Sequence, residues 1–197
     1  MTEACTGRAA RPPVLVTGAT GFTGHHLVHR LRSLGYPVRA LVRQRANVAR
    51  LRSAGAALVE GDIRNAAEVR RAAIGISKIC HIAAICRSAR QSDSLYRDVN
   101  VRGTEHLLEA AAAAGVERFI HCSTVGVHGN VVEIPCSENS PLNPDDIYQE
   151  TKLDGELRVR AAIDSDYRAS SFGPREFTAL VSCVLSNCSR VLRRVVS

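Results

Sequence analysis

Apolar and polar positions alternate along this chain in blocks that predict strands and helices by turns. Residues 14–17 form a short apolar run, V-L-V-T, and glycines follow at 18, 21 and 24. Beyond them Leu27, Val28, Leu31 and Leu34 recur at helical spacing until Gly35. Residues 38–42 (V-R-A-L-V) predict a second strand, and 46–53 a short amphipathic helix ending at Gly55. A third strand is predicted over 57–60, stopped by Gly61 and Asp62, and a helix over 66–74. Residues 78–85 (K-I-C-H-I-A-A-I) predict a fourth, almost wholly apolar strand. The longest predicted helix is 99–114, rich in alanine and leucine and closed by Gly115. A fifth strand over 117–123 and a loop punctuated by Gly126, Gly129, Pro135, Pro141 and Pro144 lead to a helix over 147–162. Near-continuous apolar strands separated by helices imply a parallel sheet covered on both faces. The expected fold class is α/β, a doubly wound, Rossmann-like parallel sheet. No internal repeat is visible.

Past residue 162 the pattern degrades. Asp164, Ser165 and Asp166 predict a helix break, 167–174 a short strand and turn, and 178–196 is mixed, with 179–185 compatible with strand or helix. The expected organisation is a flexible arm over 1–12, a Rossmann-like domain over 13–162 and a short divergent segment over 163–197.

The glycines after the first strand carry the first chemical signal. Gly18 permits a tight turn, Gly21 lets a pyrophosphate approach the backbone, and Gly24 lets the helix pack close to the strand. The N–H groups of the helix's first turn then face the anion. The spacing is G-x-x-G-x-x-G, and a ligand-free strand-to-helix turn gives the same pattern.

Composition narrows the choice of ligand. The 197 residues are 45% hydrophobic and 23% charged, ordinary for a globular domain. No apolar run approaches the roughly 18 residues that cross a bilayer, and the N-terminus lacks a signal peptide's apolar core, so no membrane role is expected. The seven cysteines (5, 80, 86, 122, 136, 183 and 188) are odd in number and form no C-x-x-C pair. They predict a reducing cytoplasm, with neither a disulfide frame nor a zinc site. Cys80 and Cys122 read as small hydrophobes within strands. His25, His26 and His29 form no H-E-x-x-H, and a solvated helix face is the expectation rather than a metal site. The net charge of +7 clusters partly at Arg39, Arg43, Arg45, Arg50 and Arg52. Aromatics make up only 4%, with none interleaved among those arginines, so a phosphate-bearing small ligand is favoured over nucleic acid.

In a dinucleotide fold an acidic residue at the end of strand two binds the adenosine ribose. Here that place is Val42, followed by Arg43. Valine cannot accept those hydrogen bonds, whereas an arginine can hold a 2′-phosphate, which favours NADP over NAD. Asp62 follows strand three and is compatible with accepting from the adenine amino group or with capping the next helix.

The second chemical signal is Y-Q-E-T-K at 148–152. Positions i and i+4 share one helix face, so Tyr148 and Lys152 point the same way. A nearby ammonium stabilises phenolate, and Tyr148 could then take a proton from a substrate hydroxyl. A surface pair has the same spacing. Ser123 and Thr124 end strand five at the carboxyl edge of the sheet, where a hydroxyl can orient the substrate oxygen.

These stretches together resemble the extended short-chain dehydrogenase/reductases of the NAD(P)-dependent epimerase/dehydratase type. The matching motifs are T-G-A-T-G-F-T-G at 17–24, G-D-I-R-N at 61–65, H-I-A-A at 81–84, N-V-R-G-T-E-H-L-L-E-A-A at 100–111, S-T-V-G-V-H-G at 123–129 and Y-Q-E-T-K at 148–152. They run in order over about residues 14–160. The resemblance implies that Gly18, Thr20, Gly21, Phe22, Thr23 and Gly24 hold the pyrophosphate, that Asp62 and Ile63 border the adenine, and that Ala83 and Ala84 line the cofactor channel. Asn100 starts the long-helix motif and would mainly organise the structure beside the cofactor. Thr124 aligns with the catalytic Ser/Thr, with Ser123 its neighbour. Tyr148 would be the acid/base, and Lys152 would lower its pKa and bind the nicotinamide ribose.

Two departures stand out. His128 replaces a usual tyrosine, on the substrate side of the pocket. Arg168 to Pro174 (R-A-S-S-F-G-P) is a shortened echo of a family motif, and the substrate-binding region that normally follows is largely missing. The resemblance implies epimerase, dehydratase or reductase chemistry on a nucleotide-sugar or related hydroxyl/carbonyl substrate. A truncated, non-catalytic NAD(P)-binding module is the alternative. Many such proteins pair through two long helices, here 99–114 and 147–162, so the resemblance also implies a homodimer.

Overall fold

The computed structural model describes residues 11–44, 46–86, 91–131, 134–137, 139–169 and 176–180. Strands β1 (Val14–Thr17), β2 (Val38–Val42), β3 (Ala57–Glu60), β4 (Lys78–His81), β5 (Arg118–Cys122) and β6 (Glu176–Leu180) form one six-stranded sheet. All pairs are parallel, in the order β3-β2-β1-β4-β5-β6. The chain therefore steps outward from β1 to β3, then returns to the other side of β1. That reversal leaves a crevice at the carboxyl ends of β1 and β4, where open α/β sheets bind ligands. Thr17 pairs with Leu41 on one side and His81 on the other, and His81 pairs with His121. The carboxyl ends of four strands thus finish nearly level.

The period of two along each strand builds two cores. Val14 and Val16 face one way, with Ala40, Cys80 and Ile120, against helix α1 (Phe22–Ser33) and helix α2 (Ala49–Ser53) through Leu27, Leu31 and Leu51. Leu15 and Leu41 face the other way, with Ile79 and Phe119. They meet helix α3 (Ala66–Ala73), helix α5 (Gly103–Ala113) and helix α6 (Ile147–Ala169) through Val69, Leu107 and Val159. Helix α1 ends as its sequence predicts. Gly35 takes φ +81°, and the amides of Gly35 and Tyr36 reach back to the carbonyls of Arg32 (2.9 Å) and Leu31 (3.0 Å).

Several boundaries differ from the sequence expectation. The helix expected over 46–53 starts at Ala49, because the Asn47 side chain accepts from the Ala49 amide and makes a turn first. The strand expected over 78–85 stops at His81; Ile82 to Ile85 leave the sheet and run along the crevice. The helix expected from 99 starts earlier, as α4 (Asp93–Arg97), and passes through one π-helical segment (Asp98–Arg102) into α5. Helix α6 does not break at Asp164–Asp166 but runs 23 residues to Ala169, and is longer than the helix expected to be longest. Tyr167 is therefore helical rather than part of a strand, and 170–174 lie outside the described residues. Of the mixed tail, 178–180 belong to β6; the rest, with Cys183 and Cys188, and the arm 1–10 with Cys5, lie outside them too.

Candidate active site

The glycine turn is shaped by space as much as by dihedral angle. Gly18 takes φ +70°, and a Cβ there would lie 2.6 Å from the Ala83 amide nitrogen. A Cβ on Gly24 would collide with the Gly18 carbonyl oxygen. Gly21 donates to that same carbonyl at 3.1 Å and begins α1 with no side-chain cap and no acidic residue in the first turn. The start of α1 therefore presents backbone N–H groups and a positive dipole end without a built-in anion.

Behind the turn, Thr17 and His81 fix each other. Thr104 Oγ1 donates to the Asn100 carbonyl at 2.7 Å, so at His81 Nε2 (3.0 Å) it can only accept. His81 thus carries its proton on Nε2, and Nδ1 accepts from Thr17 Oγ1 at 2.8 Å. Thr17 Oγ1 in turn accepts from the Ala83 amide at 3.3 Å. Burial, then the Lys152 charge, holds His81 neutral, with its pKa pushed down to about 3. This network sets the backbone of Ala83 against Gly18.

The crevice holds about 890 Å³. Gly18, Thr20, Gly21, Phe22, Thr23 and Gly24 form its floor. Arg43, Asp62 and Ile63 form one end, and Ala83 and Ala84 one wall. These expected cofactor residues are brought together there. Asn100, Tyr148 and Lys152 are not on that wall. Arg43 is exposed and leans on Asp62 electrostatically. Asp62 is bound by a residue the sequence reading passed over. Arg64 Nη2 donates to Oδ2 at 2.7 Å, and the Arg64 amide donates to Oδ1 at 2.9 Å. The Arg64 hydrogen bonds, against the opposing effect of burial, hold the Asp62 carboxyl below its usual range. Asp62 does not cap α3. Asn65 does, its Oδ1 accepting from the Ala67 amide at 3.0 Å.

The residues expected to be catalytic lie where β5 meets α6. Lys152 is buried, and its Nζ donates to the Cys122 carbonyl at 2.6 Å and lies 3.4 Å from His121 Nε2. Ser123 Oγ donates to Glu156 Oε2 at 2.5 Å. The Thr124 hydroxyl neighbours the Tyr148 phenol, and Thr124 Oγ1 accepts from the Gly126 amide at 3.2 Å. Burial pushes the Tyr148 phenol up to about 12; Cys86 adds to this, and Thr124 opposes it. Asn100 stands behind the site in the π-helical segment. Its side chain accepts from the Ile85 amide (2.9 Å) and donates to the Ile85 carbonyl (3.2 Å) and to Thr151 Oγ1 (3.0 Å). It ties the crevice wall to α6, and π-helical segments often mark functional positions. His128 is buried, with Nδ1 3.1 Å from the Pro141 carbonyl, so this ring secures the loop.

Sequence reasoning missed Glu156, Cys86 and Arg64. Glu156 repeats the four-residue step from Tyr148 and Lys152, a signal that was available. Cys86 lines the crevice and neighbours Tyr148 across a long stretch of chain, and no local pattern marks it. Among the described residues, no three His, Cys, Asp or Glu side chains converge as a metal site, and no helix is long and apolar enough to cross a membrane.

A sequence model described as the NAD dependent epimerase/dehydratase family matches residues 14–178. The chain belongs to that family. It is 38% identical over 150 residues to sterol demethylase protein B of Methylococcus capsulatus, covering 74% of this chain and 45% of that one. To UDP-glucose 4-epimerase 4 of Oryza sativa it is 32% identical over 167 residues, covering 78% and 45%. The crystal structure of DesIV, a dTDP-glucose 4,6-dehydratase of Streptomyces venezuelae with NAD bound, superposes with a TM-score of 0.74 at 31% identity, covering 86% of this chain and 55% of that one. The chain spans under half the length of these two curated relatives. As a member of an NAD-dependent epimerase/dehydratase family it has the fold of dinucleotide-binding enzymes, as its sequence implies.

Proposed function

We propose that this chain is an NAD(P)-dependent epimerase, dehydratase or reductase acting on a nucleotide-sugar or a related hydroxyl/carbonyl compound. The observation that carries the reading is the glycine-lined crevice of about 890 Å³ at the carboxyl edge of the sheet, with Thr124, Tyr148 and the buried Lys152 gathered where β5 meets α6. That volume lies in the range of small-molecule and cofactor sites. The crevice floor fits a pyrophosphate, because side chains are excluded at Gly18 and Gly24 and the start of α1 is uncapped.

When bound, a nicotinamide dinucleotide supplies a hydride acceptor or donor at its ring. The chain's own residues do the rest. Gly18 to Gly24 hold the pyrophosphate, and Asp62 and Ile63 border the adenine. Arg43, exposed beyond Val42, supports NADP over NAD by offering a guanidinium to a 2′-phosphate. A substrate oxygen entering beside Tyr148 is oriented by the Thr124 hydroxyl. Tyr148 Oη then accepts the substrate's hydroxyl proton, or returns one to a carbonyl oxygen. The phenol must first lose the pKa elevation that burial imposes, and Lys152, one helical turn along, supplies the cation that favours phenolate.

The test is cofactor consumption with sugar nucleotides and carbonyl compounds, by the wild-type protein and by Tyr148→Phe. Turnover lost in Tyr148→Phe with dinucleotide affinity nearly kept supports the enzyme reading. Dinucleotide binding without turnover in the wild type makes the chain a binding module instead.

A further inference from the structure

Glu156 is fully buried, and the reaction proposed above has no use for a carboxylate there. It is held by two short hydrogen bonds, from Ser123 Oγ to Oε2 and from Arg160 Nη2 to Oε1, both 2.5 Å. Arg160 lies one turn further along α6. Ionic groups are not buried by default, and removing one partner of such a group strands the other. The question is what the arrangement holds still.

The answer lies in the three residues at the end of β5. Each is gripped by a different turn of α6. Lys152 holds the Cys122 carbonyl, Glu156 holds the Ser123 hydroxyl, and Tyr148 meets the Thr124 hydroxyl. Tyr148, Lys152 and Glu156 step by four along one helix face. Thr124 itself lies beyond β5, in extended backbone (φ −146°, ψ 146°), without the strand ladder to fix it. Its place is set by its neighbours: Ser123 before it, and after it the amides of Gly126, which donates to its Oγ1, and Val127, which donates to its carbonyl at 3.3 Å. Ser123 has one hydroxyl proton, and Glu156 takes it. Ser123 therefore has no proton left to orient a substrate oxygen, and serves as an anchor while Thr124 faces the phenol.

We infer that Glu156, through Ser123, is a positioning residue that holds the Thr124 hydroxyl beside the Tyr148 phenol. The inference rests on reading Tyr148 and Thr124 as the reacting pair. Arg160 balances the buried charge, so that Glu156 stays an acceptor for Ser123. A glutamine at 156 has one acceptor oxygen for two donors, and its NH₂ group turned towards Ser123 or Arg160 breaks that contact. Small displacements suffice, because hydrogen bonds weaken steeply as their angle bends.

The experiment uses the full chain labelled with 13Cζ-tyrosine. Its four tyrosines are Tyr36, Tyr96, Tyr148 and Tyr167. Tyr148→Phe assigns the Tyr148 resonance, and Thr124→Val defines how far it moves when the Thr124 hydroxyl is lost. Ser123→Ala and Glu156→Gln are expected to move it in the same direction by a large share of that amount, with Tyr36 and Tyr96 unmoved. The double variant Thr124→Val/Ser123→Ala is expected to add nothing to Thr124→Val alone, since the effect runs through Thr124. A Tyr148 resonance that stays in place in Ser123→Ala and Glu156→Gln, or moves in the double variant by the sum of the singles, overturns the inference. Should Glu156→Gln fail to fold, Ser123→Ala decides alone, because it keeps the Glu156–Arg160 pair. These readouts need no substrate. Turnover surviving Tyr148→Phe would defeat the acid/base reading while leaving the positioning question answered by the resonance shifts.

Discussion

Gly24 packs under the Gly18 carbonyl so closely that a side chain has no room, whereas Gly21, between them, meets only that carbonyl oxygen, at 3.4 Å. The three glycines of the turn therefore do different work. Gly24→Ala forces α1 away from the turn, and overpacking of this kind costs about 1–3 kcal/mol. Gly21 has an ordinary φ of −77° and opens to the crevice, so Gly21→Ala leaves stability within about 1 kcal/mol. Its methyl group instead occupies the space proposed for the pyrophosphate. Thermal melting should separate the two variants, and dinucleotide titration should show both impaired. Wild-type affinity in Gly21→Ala would rule out pyrophosphate binding at this turn.

The sheet was legible because its strands are apolar runs bounded by glycine, proline or acidic residues. β2 and β3 fall at the expected bounds for that reason. Legibility failed where local chemistry is ambiguous. Ile82 to Ile85 are as apolar as a strand, yet they line a crevice rather than a sheet. Asp164, Ser165 and Asp166 are only mildly unfavourable in a helix, by less than about 1 kcal/mol each, and without Gly or Pro the helix continues. In the candidate site, the shared helix face of Tyr148 and Lys152 was readable from their spacing. Arg64's hold on Asp62 and the Cys86–Tyr148 contact were not, since both depend on how loops fold back over the sheet.

Acid lability follows from the buried histidines. His81 is kept neutral in the folded protein, with its pKa pushed down to about 3, whereas in the unfolded chain the ring titrates near 6.5. Below that value the unfolded state binds more protons. The stability His81 contributes is thus full above about pH 6.5 and is lost progressively as pH falls towards about 3, by about 1.4 kcal/mol per pH unit within that window. His121 acts in the same direction, its pKa lowered by burial, Lys152 and His81. Urea unfolding midpoints should fall between about pH 6.5 and about pH 5, above the range where ordinary carboxylates titrate. A flat profile there would mean that the rings are charged in the folded state.

The proposed preference for NADP rests on Arg43. One charge-assisted hydrogen bond contributes about 1.5–3 kcal/mol, so Arg43→Ala should weaken NADPH binding roughly ten- to a hundred-fold. NADH binding should hardly change, because NADH lacks the 2′-phosphate. Fluorescence titration with both cofactors reads this directly. Wild-type protein that binds NADH more tightly than NADPH would remove the case for NADP.

The helix that carries Tyr148 and Lys152 owes its position to Gly155. A Cβ there would lie 2.7 Å from the Asn100 carbonyl oxygen, 3.4 Å from Thr104 Oγ1 and 3.7 Å from His121 Cε1. The Asn100 carbonyl is already engaged by Thr104, and the neighbouring Asn100 side chain reaches Thr151 at 3.0 Å. The atom too close, the Asn100 carbonyl oxygen, is backbone, so Gly155→Ala must push α6 away from the π-helical segment. The overpacking costs about 1–3 kcal/mol. Its sharper consequence is local. The displaced helix carries Lys152 away from the Cys122 carbonyl and Tyr148 away from Thr124, whose contacts sit on the same face. Gly155→Ala should therefore lose more turnover than its stability loss explains. Leu157→Ala, at an exposed position on the same helix, should change both by little. Urea unfolding and kcat measured well below the melting temperature compare the two. Equal kcat in Gly155→Ala and wild type would show that the reacting pair tolerates a shift of α6, and that its geometry is set from the β5 side alone.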